Sequence, residues 1–547
     1  MKIIRGWIPD FKNRQFFFGE IQIQDEFIVS VIRLESKKPG PDIDDDYILP
    51  GLIDAHVHIE SSMLVPSGFA MQVVRFGTVA TVSDPHEIAN VLGIEGIKFM
   101  VEDAARVPLK IYYTAPSCVP ATEHEESGAV LGVHELEELA SRYSFVGLGE
   151  MMDFPGVLRK DPKVIEKISL FRKYNLPIDG HAPGLMGMDL KKYAGAGIST
   201  DHEATSLDEA RGKIQAGMKI LIREGSAARN FDALWPLIAE YPGEVMLCCD
   251  DIHPDELLDH HIDWLIVRGL EKGLSIFDLL QAASLNPINH YQLDVGKLQP
   301  GDKADFILVK QLNKFIVRDN YINGNCVSRD GEIQFETNDS SHPNRFNRAS
   351  VKKEDFEMPG QSGNYRVIGA VDGELFTTSE IHYLEAKEGV VLPDNENDII
   401  RIAVVNRYRD SPLALGWIGQ TGLKKGALAS SVAHDSHNII VMGISTEDMA
   451  QAVNLIIDNQ GGISYSGGRD TGILPLPVAG LMSSQGAEWV GKKYQELNGR
   501  ARELGSCLSA PFMTLSFMAL LVIPELKIGD RGLFDVKEFN FVKPKVE

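Results

Sequence analysis

Eight apolar or β-branched runs recur between residues 48 and 249, each followed by a segment of helical pattern. They are Ile48 to Ile53, Thr78 to Ser83, Ile111 to Ala115, Phe145 to Gly149, Pro177 to Gly180, Gly197 to Thr200, Lys219 to Arg223 and Val245 to Cys249. Parallel strands need a crossover rather than a tight turn, so strand-then-helix repeated eight times predicts a closed (β/α)8 barrel of TIM type. Such a barrel carries its chemistry at the carboxyl ends of its strands. The residues that end or follow each run are therefore the ones to inspect.

The flanks predict further units. Residues 1 to 48 hold short alternating runs (Gln15 to Phe18, Ile21 to Ile23, Phe27 to Ile32), and similar runs return at Asp305 to Val309, Phe315 to Val317 and Tyr321 to Val327. Neither set can bury a core alone. Segments 1–48 and 300–336 are therefore expected to pair into one composite small β-sandwich, interrupted by the barrel at 49–299. A polar linker, Thr337 to Lys353, leads to an additional C-terminal α+β domain at 345–547. The fold class expected is thus α/β. The segment GGISYSGGRDTGILP lacks the Gly-Lys-Ser/Thr ending of a phosphate loop and reads as a Gly-rich turn.

Composition narrows the partners. A net charge of -23 repels nucleic acid and anionic membrane, leaving a small neutral or cationic substrate as the easier partner. MKIIRGWIPDFKNRQ is broken by charge and Pro before an apolar signal core can form. The longest apolar stretch, Met513 to Ile523, is too short to span a bilayer and reads as core. The five cysteines include no Cys-x-x-Cys pair, which argues against a disulfide framework or zinc ribbon. The expected compartment is the cytoplasm, with no membrane association.

The run ends carry ligand-type residues: His56 and His58, Asp84 and His86, Glu150, His181, His202, and Asp250 with Asp251. His56 and His58 are one residue apart, so on a strand both point the same way. Four histidines, one central glutamate and one late aspartate suit two divalent metal ions about 3.5 to 4 Å apart, bridged by a carboxylate. Glu150 is the expected bridge. His56, His58 and Asp250 would hold one ion, and His181 and His202 the other. Imidazole and carboxylate without thiolate suit Zn, Fe or Mn. Such a pair makes hydroxide at working pH, and Asp250 would accept the proton and pass it to the leaving group.

PGLIDAHVHIESS, the Glu150, His181, His202 and Asp250 series, and GKLQPGDKADFILV resemble the metal-dependent amidohydrolase superfamily. Within it, TVSDPHEIANVLG, GLGEMMDFPGV, CCDDIHPDEL and SPLALGWIGQTGLKKGALASSVAHDSHN resemble the bacterial adenine deaminases (adenine aminohydrolases). The resemblance implies a barrel, a composite sandwich, a C-terminal domain peculiar to that family, and hydrolysis of adenine to hypoxanthine and ammonia in purine salvage. It implies Mn(2+) or Fe(2+) ahead of Zn(2+), and a homo-oligomer, expected as a dimer. Many amidohydrolases bridge their metals with a modified lysine after the fourth strand. Here that position reads Gly-Glu-Met-Met, consistent with a glutamate bridge. The other nucleobase-deaminase signature, His-x-Glu with Pro-Cys-x-x-Cys, is absent.

Asp84 and His86 exceed the two-metal set; a third ion, a substrate pocket and a cap on the helix beginning near Glu87 are equal readings. Asp251 and His253 are expected to support the ligands rather than bind metal. His434, Asp435 and His437 form a cluster that is either a solvated turn or a cover for the barrel mouth touching the substrate. Two other functions stay open. One is cyclic-amide hydrolysis of the dihydroorotase or hydantoinase kind, and the other is a catalytically inactive scaffold.

Overall fold

The computed structural model describes residues 1–34, 46–226, 228–337 and 340–546. β1 (Lys2–Asp10), β2 (Gln15–Gln24) and β3 (Phe27–Arg33) form an antiparallel meander, and β4 (Tyr47–Pro50) lies parallel to β1. The chain then enters the barrel through β5 (Leu52–Val57), β6 (Thr78–Ser83), β7 (Lys110–Ala115), β8 (Gly147–Met151) and β9 (Ile178–Gly180). β10 (Thr200–Asp201), β11 (Lys219–Arg223) and β12 (Val245–Cys248) complete it. The run Ile48 to Ile53, expected as one strand, is two: β4 belongs to the outer sheet and β5 to the barrel. Gly51 makes the break, because a Cβ there would stand 2.3 Å from a Val79 methyl. The break is invisible in the pattern since the stretch from Ile48 to Ile53 is buried and apolar on either side of Gly51. The boundary expected at residue 48 accordingly falls inside β4.

β5 to β9 form one parallel sheet and β10 to β12 another. The Ser199 N–H donates to the Ile178 carbonyl across the first seam (2.8 Å). Across the second, the Asp250 N–H donates to His56 (2.9 Å) and the His58 N–H to Asp250 (3.1 Å). The ring thus closes on the residues singled out as ligands. Asp250 makes that seam with φ of +60, a left-handed conformation unusual for a side-chain-bearing residue.

β13 (Phe306–Lys310), β14 (Ile316–Ile322), β15 (Asn325–Arg329) and β16 (Glu332–Ile333) return to the outer sheet. Its order is β16-β15-β14-β13-β4-β1-β2-β3, with β13 antiparallel to β4. Ile8, Ile21, Ile23, Ile28, Ile48, Phe306, Leu308 and Tyr321 share one core, so both sequence segments are needed to cover it. Each such aliphatic side chain contributes about 1.5–3 kcal/mol on full burial.

The C-terminal region is built on a second eight-stranded sheet with the helices Thr446–Asp458, Ala487–Glu503 and Pro511–Phe517. The Gly-rich segment is its hairpin, Gly462–Gly467 against Asp470–Pro475, turning at Gly468 with φ of +76. The region docks beside the loop that follows His58. There Ser483 exchanges backbone hydrogen bonds with Met63 (2.8 Å) and Val65 (3.2 Å). The apolar stretch near Met513 is buried as expected. Among the described residues no helix is long and apolar enough to cross a membrane, and the five cysteines are free.

Candidate active site

Side chains from five strand ends converge at the carboxyl mouth of the barrel. His56 Nε2 lies 3.5 Å from Asp250 Oδ1, and His58 Nε2 lies 3.2 Å from the same oxygen. His58 Nε2 is also 3.3 Å from Glu150 Oε1. The other Glu150 oxygen, Oε2, stands 3.1 Å from His202 Nε2 and 2.6 Å from His181 Nδ1. Glu150 therefore faces a different imidazole set with each oxygen, which is the geometry a bridging carboxylate needs.

Backbone contacts fix these positions. The Glu150 N–H donates to Asp84 Oδ2 (3.0 Å), and its carbonyl accepts the Ser117 hydroxyl (2.5 Å). Gly149 permits the first bond, because a Cβ there would stand 2.1 Å from Asp84 Oδ2. His58 Nδ1 donates to the Asp84 carbonyl (3.0 Å), which turns Nε2 toward the cluster. Asp201 ties the loops after β9 and β10: it accepts the N–H groups of Ala182, Glu203 and Ala204 and the buried Lys213 ammonium (2.6 Å).

The donor set fits divalent cations. Ligand atoms of His56, His58 and Asp250 lie within 4.8 Å of one another, as do those of His56, Glu150 and His202. His56 Nε2 has no hydrogen-bond partner although it is buried, so that ring nitrogen faces the cluster unpaired. Burial alone would raise the Glu150 carboxyl, but His181, His202 and His58 hold it well below the usual carboxylate range. Burial of Asp250 is likewise outweighed, by Arg223, His56 and His58.

Three residues here were not singled out from the sequence. Glu203 Oε1 lies 2.7 Å from Arg223 Nη1, 3.4 Å from His202 Nε2 and 3.5 Å from His181 Nδ1. Arg223 also pairs with Asp250, joining the two ligand sets from the end of β11. Glu87 pairs with His434 (2.6 Å) and with His437, so a barrel residue receives the C-terminal cluster. Two of the three follow a histidine directly, in His86-Glu87 and His202-Glu203, and that pairing was the available signal.

Asp84 and His86 join the site. His86 Nδ1 stands 3.7 Å from both Asp84 Oδ1 and Glu150 Oε1. The cap reading of Asp84 is not realised: Pro85 occupies the cap of helix His86–Leu92, with no side-chain cap bond. Asp251 accepts the Ser61 hydroxyl (2.5 Å) behind the His58 loop. His253 stands off the ligand cluster. Its Nδ1 lies 2.7 Å from the Tyr494 hydroxyl, and burial pushes it down to about 3, so it is a neutral link to helix Ala487–Glu503.

The solvated-turn reading of His434 to His437 is corrected. Residues 433–438 are all buried, and His434 stacks on Phe517 at 4.4 Å with an 11° interplanar angle. His434, the Ser436 carbonyl and the His437 carbonyl are partnered by Glu87, by the Tyr408 hydroxyl (2.6 Å) and by Arg407, all remote in sequence.

A parallel barrel whose strand ends gather imidazoles around a shared buried carboxylate defines a hydrolase of the amidohydrolase class. The model of the amidohydrolase family matches residues 47–327, and that of the adenine deaminase C-terminal domain matches residues 374–540. An adenine deaminase of Methanosarcina mazei is 51% identical, with 99% of each chain covered. Those of Salinibacter ruber (48%, 98% of each) and Borreliella burgdorferi (44%, 99% of each) are similar over the same extent. The chain belongs to the adenine deaminase family. The bacterial resemblance is widened by these relatives, which include archaeal sequences.

Proposed function

We propose that the protein hydrolyses adenine to hypoxanthine and ammonia, and that the observation carrying this reading is the bipartite cluster around Glu150 in a chain of the adenine deaminase family. His56, His58 and Asp250 would hold one divalent cation and His181 and His202 the other, with Glu150 between them. Mn(2+) or Fe(2+) is favoured over Zn(2+). When bound, the cations supply a hydroxide nucleophile at working pH for attack at C6.

The chain's own residues do the rest. Asp250, kept ionised by Arg223, accepts the proton of the nucleophile and passes it to the departing amine. Glu203 balances the Arg223 charge so that the guanidinium holds Asp250 without drawing it from the cluster. Burial of residues 433–438 against Glu87 supports a cover over the mouth that keeps bulk water from the ring. Asp84 and His86, placed against Glu150, are assigned to the substrate pocket or a third ion. The same reading divides the chain into 1–48 with 300–336, 49–299 and 345–547, the first boundary moved to Pro50 by the course of β4, and pairs two copies of the protein as a homodimer.

A substrate panel on metal-loaded protein tests the function. Ammonia release from adenine, without ring opening of hydantoin or dihydroorotate, is the expected result. Adenosine is expected to be a poor substrate. Ring opening without deamination would replace this reading by cyclic-amide hydrolysis, and inactivity on every substrate by the inactive scaffold.

A further inference from the structure

Beside the metal cluster, the segments around Glu125 and Asp435 hold carboxyl groups that no protein donor satisfies. Glu125 is 4% exposed and neither of its oxygens receives a hydrogen bond; Asp435 is 3% exposed and its Oδ2 receives none. The Ser436 hydroxyl and the Thr122 backbone lie beside Glu125 without reaching hydrogen-bond geometry. The two segments are also locked together. Asn438 donates to the Glu126 carbonyl (3.0 Å), and Tyr408 holds that of Ser436 (2.6 Å). A buried polar group left without a partner is costly, and native proteins that keep one do so for a reason.

The wall is continuous with the site. Glu150 Oε1 stands 3.7 Å from His86 Nδ1, and His86 Nε2 stands 3.5 Å from Glu87 Oε1. Glu87 Oε1 holds His434 Nδ1 at 2.6 Å, and that nitrogen lies 3.9 Å from Asp435 Oδ1. Burial pushes Asp435 up to about 6, and the Glu87 charge adds to this. Burial pushes Glu125 well above the usual carboxylate range, and the Asp435 charge adds to it. Glu125, kept protonated by its burial, offers a donor, and the Asp435 carboxylate offers acceptors. A purine free base offers the complement, an N–H beside a ring nitrogen, at its N9/N3 edge. A nucleoside has lost that N–H to the sugar.

We propose that Glu125 and Asp435 are the specificity-determining pair for the free purine base, hydrogen-bonding the ring N–H and neighbouring nitrogen that a nucleoside cannot offer. This rests on adenine being the substrate. It places a recognition residue in the C-terminal domain, and it gives the unpaired acids their missing partners.

The test uses full-length metal-loaded protein with Glu125→Ala, Asp435→Ala, Glu125→Gln and Asp435→Asn. Kinetics are measured on adenine and 9-methyladenine, alongside metal content and thermal unfolding without substrate. The alanine variants are expected to raise KM for adenine ~10-fold or more, since a site built to pair an N–H loses that discrimination with its partner. They are also expected to narrow the kcat/KM preference for adenine over 9-methyladenine by a similar factor. The amide variants, which keep a donor and an acceptor, should fall in between. Metal content should match wild type, and Tm should hold or rise because an unpaired buried acid has been removed. Unchanged KM and preference would overturn the proposal. A lowered Tm with loss of metal would also overturn it, by making the acids structural. Wild-type protein that leaves adenine intact would instead fail the functional reading before any variant is compared, and this proposal with it.

Discussion

Each oxygen of the Glu150 carboxylate faces a different imidazole set, and a charge shared in this way cannot be replaced by a neutral amide. Glu150→Gln is therefore expected to lose metal; retention of two ions per chain by elemental analysis would remove its bridging role. Asp250 differs because Arg223 and two histidines already fix its position. Asp250→Asn keeps an oxygen ligand but loses the proton acceptor, so metal should stay and kcat should fall by roughly 10²- to 10⁴-fold. Near-normal turnover in the metal-replete variant would assign the proton to another group.

Secondary-structure elements determine how much of this site can be read from the chain. His56, Glu150, His181, His202 and Asp250 were legible because a parallel barrel puts its chemistry at strand ends, and the apolar runs marked those ends within a few residues. Arg223 was not, because it closes the run Lys219 to Arg223 and was read as the strand's last residue rather than its functional tip. The AHDSHN loop left two readings open for a related reason. Its burial depends on Glu87 and Tyr408, and no local pattern reports partners so remote in sequence. Since that loop closes on Glu87, His437→Ala should impair kcat or raise KM with metal content unchanged. Wild-type kinetics in that variant would confine the loop to packing.

A second element-scale consequence concerns helix Pro511–Phe517. Lys527 is fully buried and donates to the carbonyls of Phe517 (3.0 Å) and Leu375 (2.7 Å), with no carboxylate partner. Burial pushes it down to about 7, below its ordinary 10.5. Between those values the unfolded chain binds a proton that the fold does not, so this group makes stability rise with pH from about 7 toward 10. Denaturant unfolding of wild type and Lys527→Met at pH 7 and 9 should show a smaller pH gain in the variant. An equal gain in both would mean that Lys527 stays charged in the fold.

At the scale of the whole molecule, the barrel supplies the clustered imidazoles and carboxylates and the C-terminal region docks against the loops beside them, joined through Glu87, the His253–Tyr494 contact and the Ser483 bridge. The outer sheet completes its core from two distant segments. That division was legible in outline, since the two sets of short strands could not stand alone. For the C-terminal region the sequence left a solvated turn and a cover over the barrel mouth equally open, because nothing in one chain's pattern reveals which surfaces dock.

The most direct measurement strips the protein of metal with a chelator and then titrates Mn(2+) back while following ammonia release from adenine. Activity is expected to vanish on chelation and to return in proportion to bound metal, reaching its plateau at two ions per chain. A plateau at one ion, or a fully loaded protein that releases no ammonia from adenine, would contradict the two-metal adenine-hydrolysing centre.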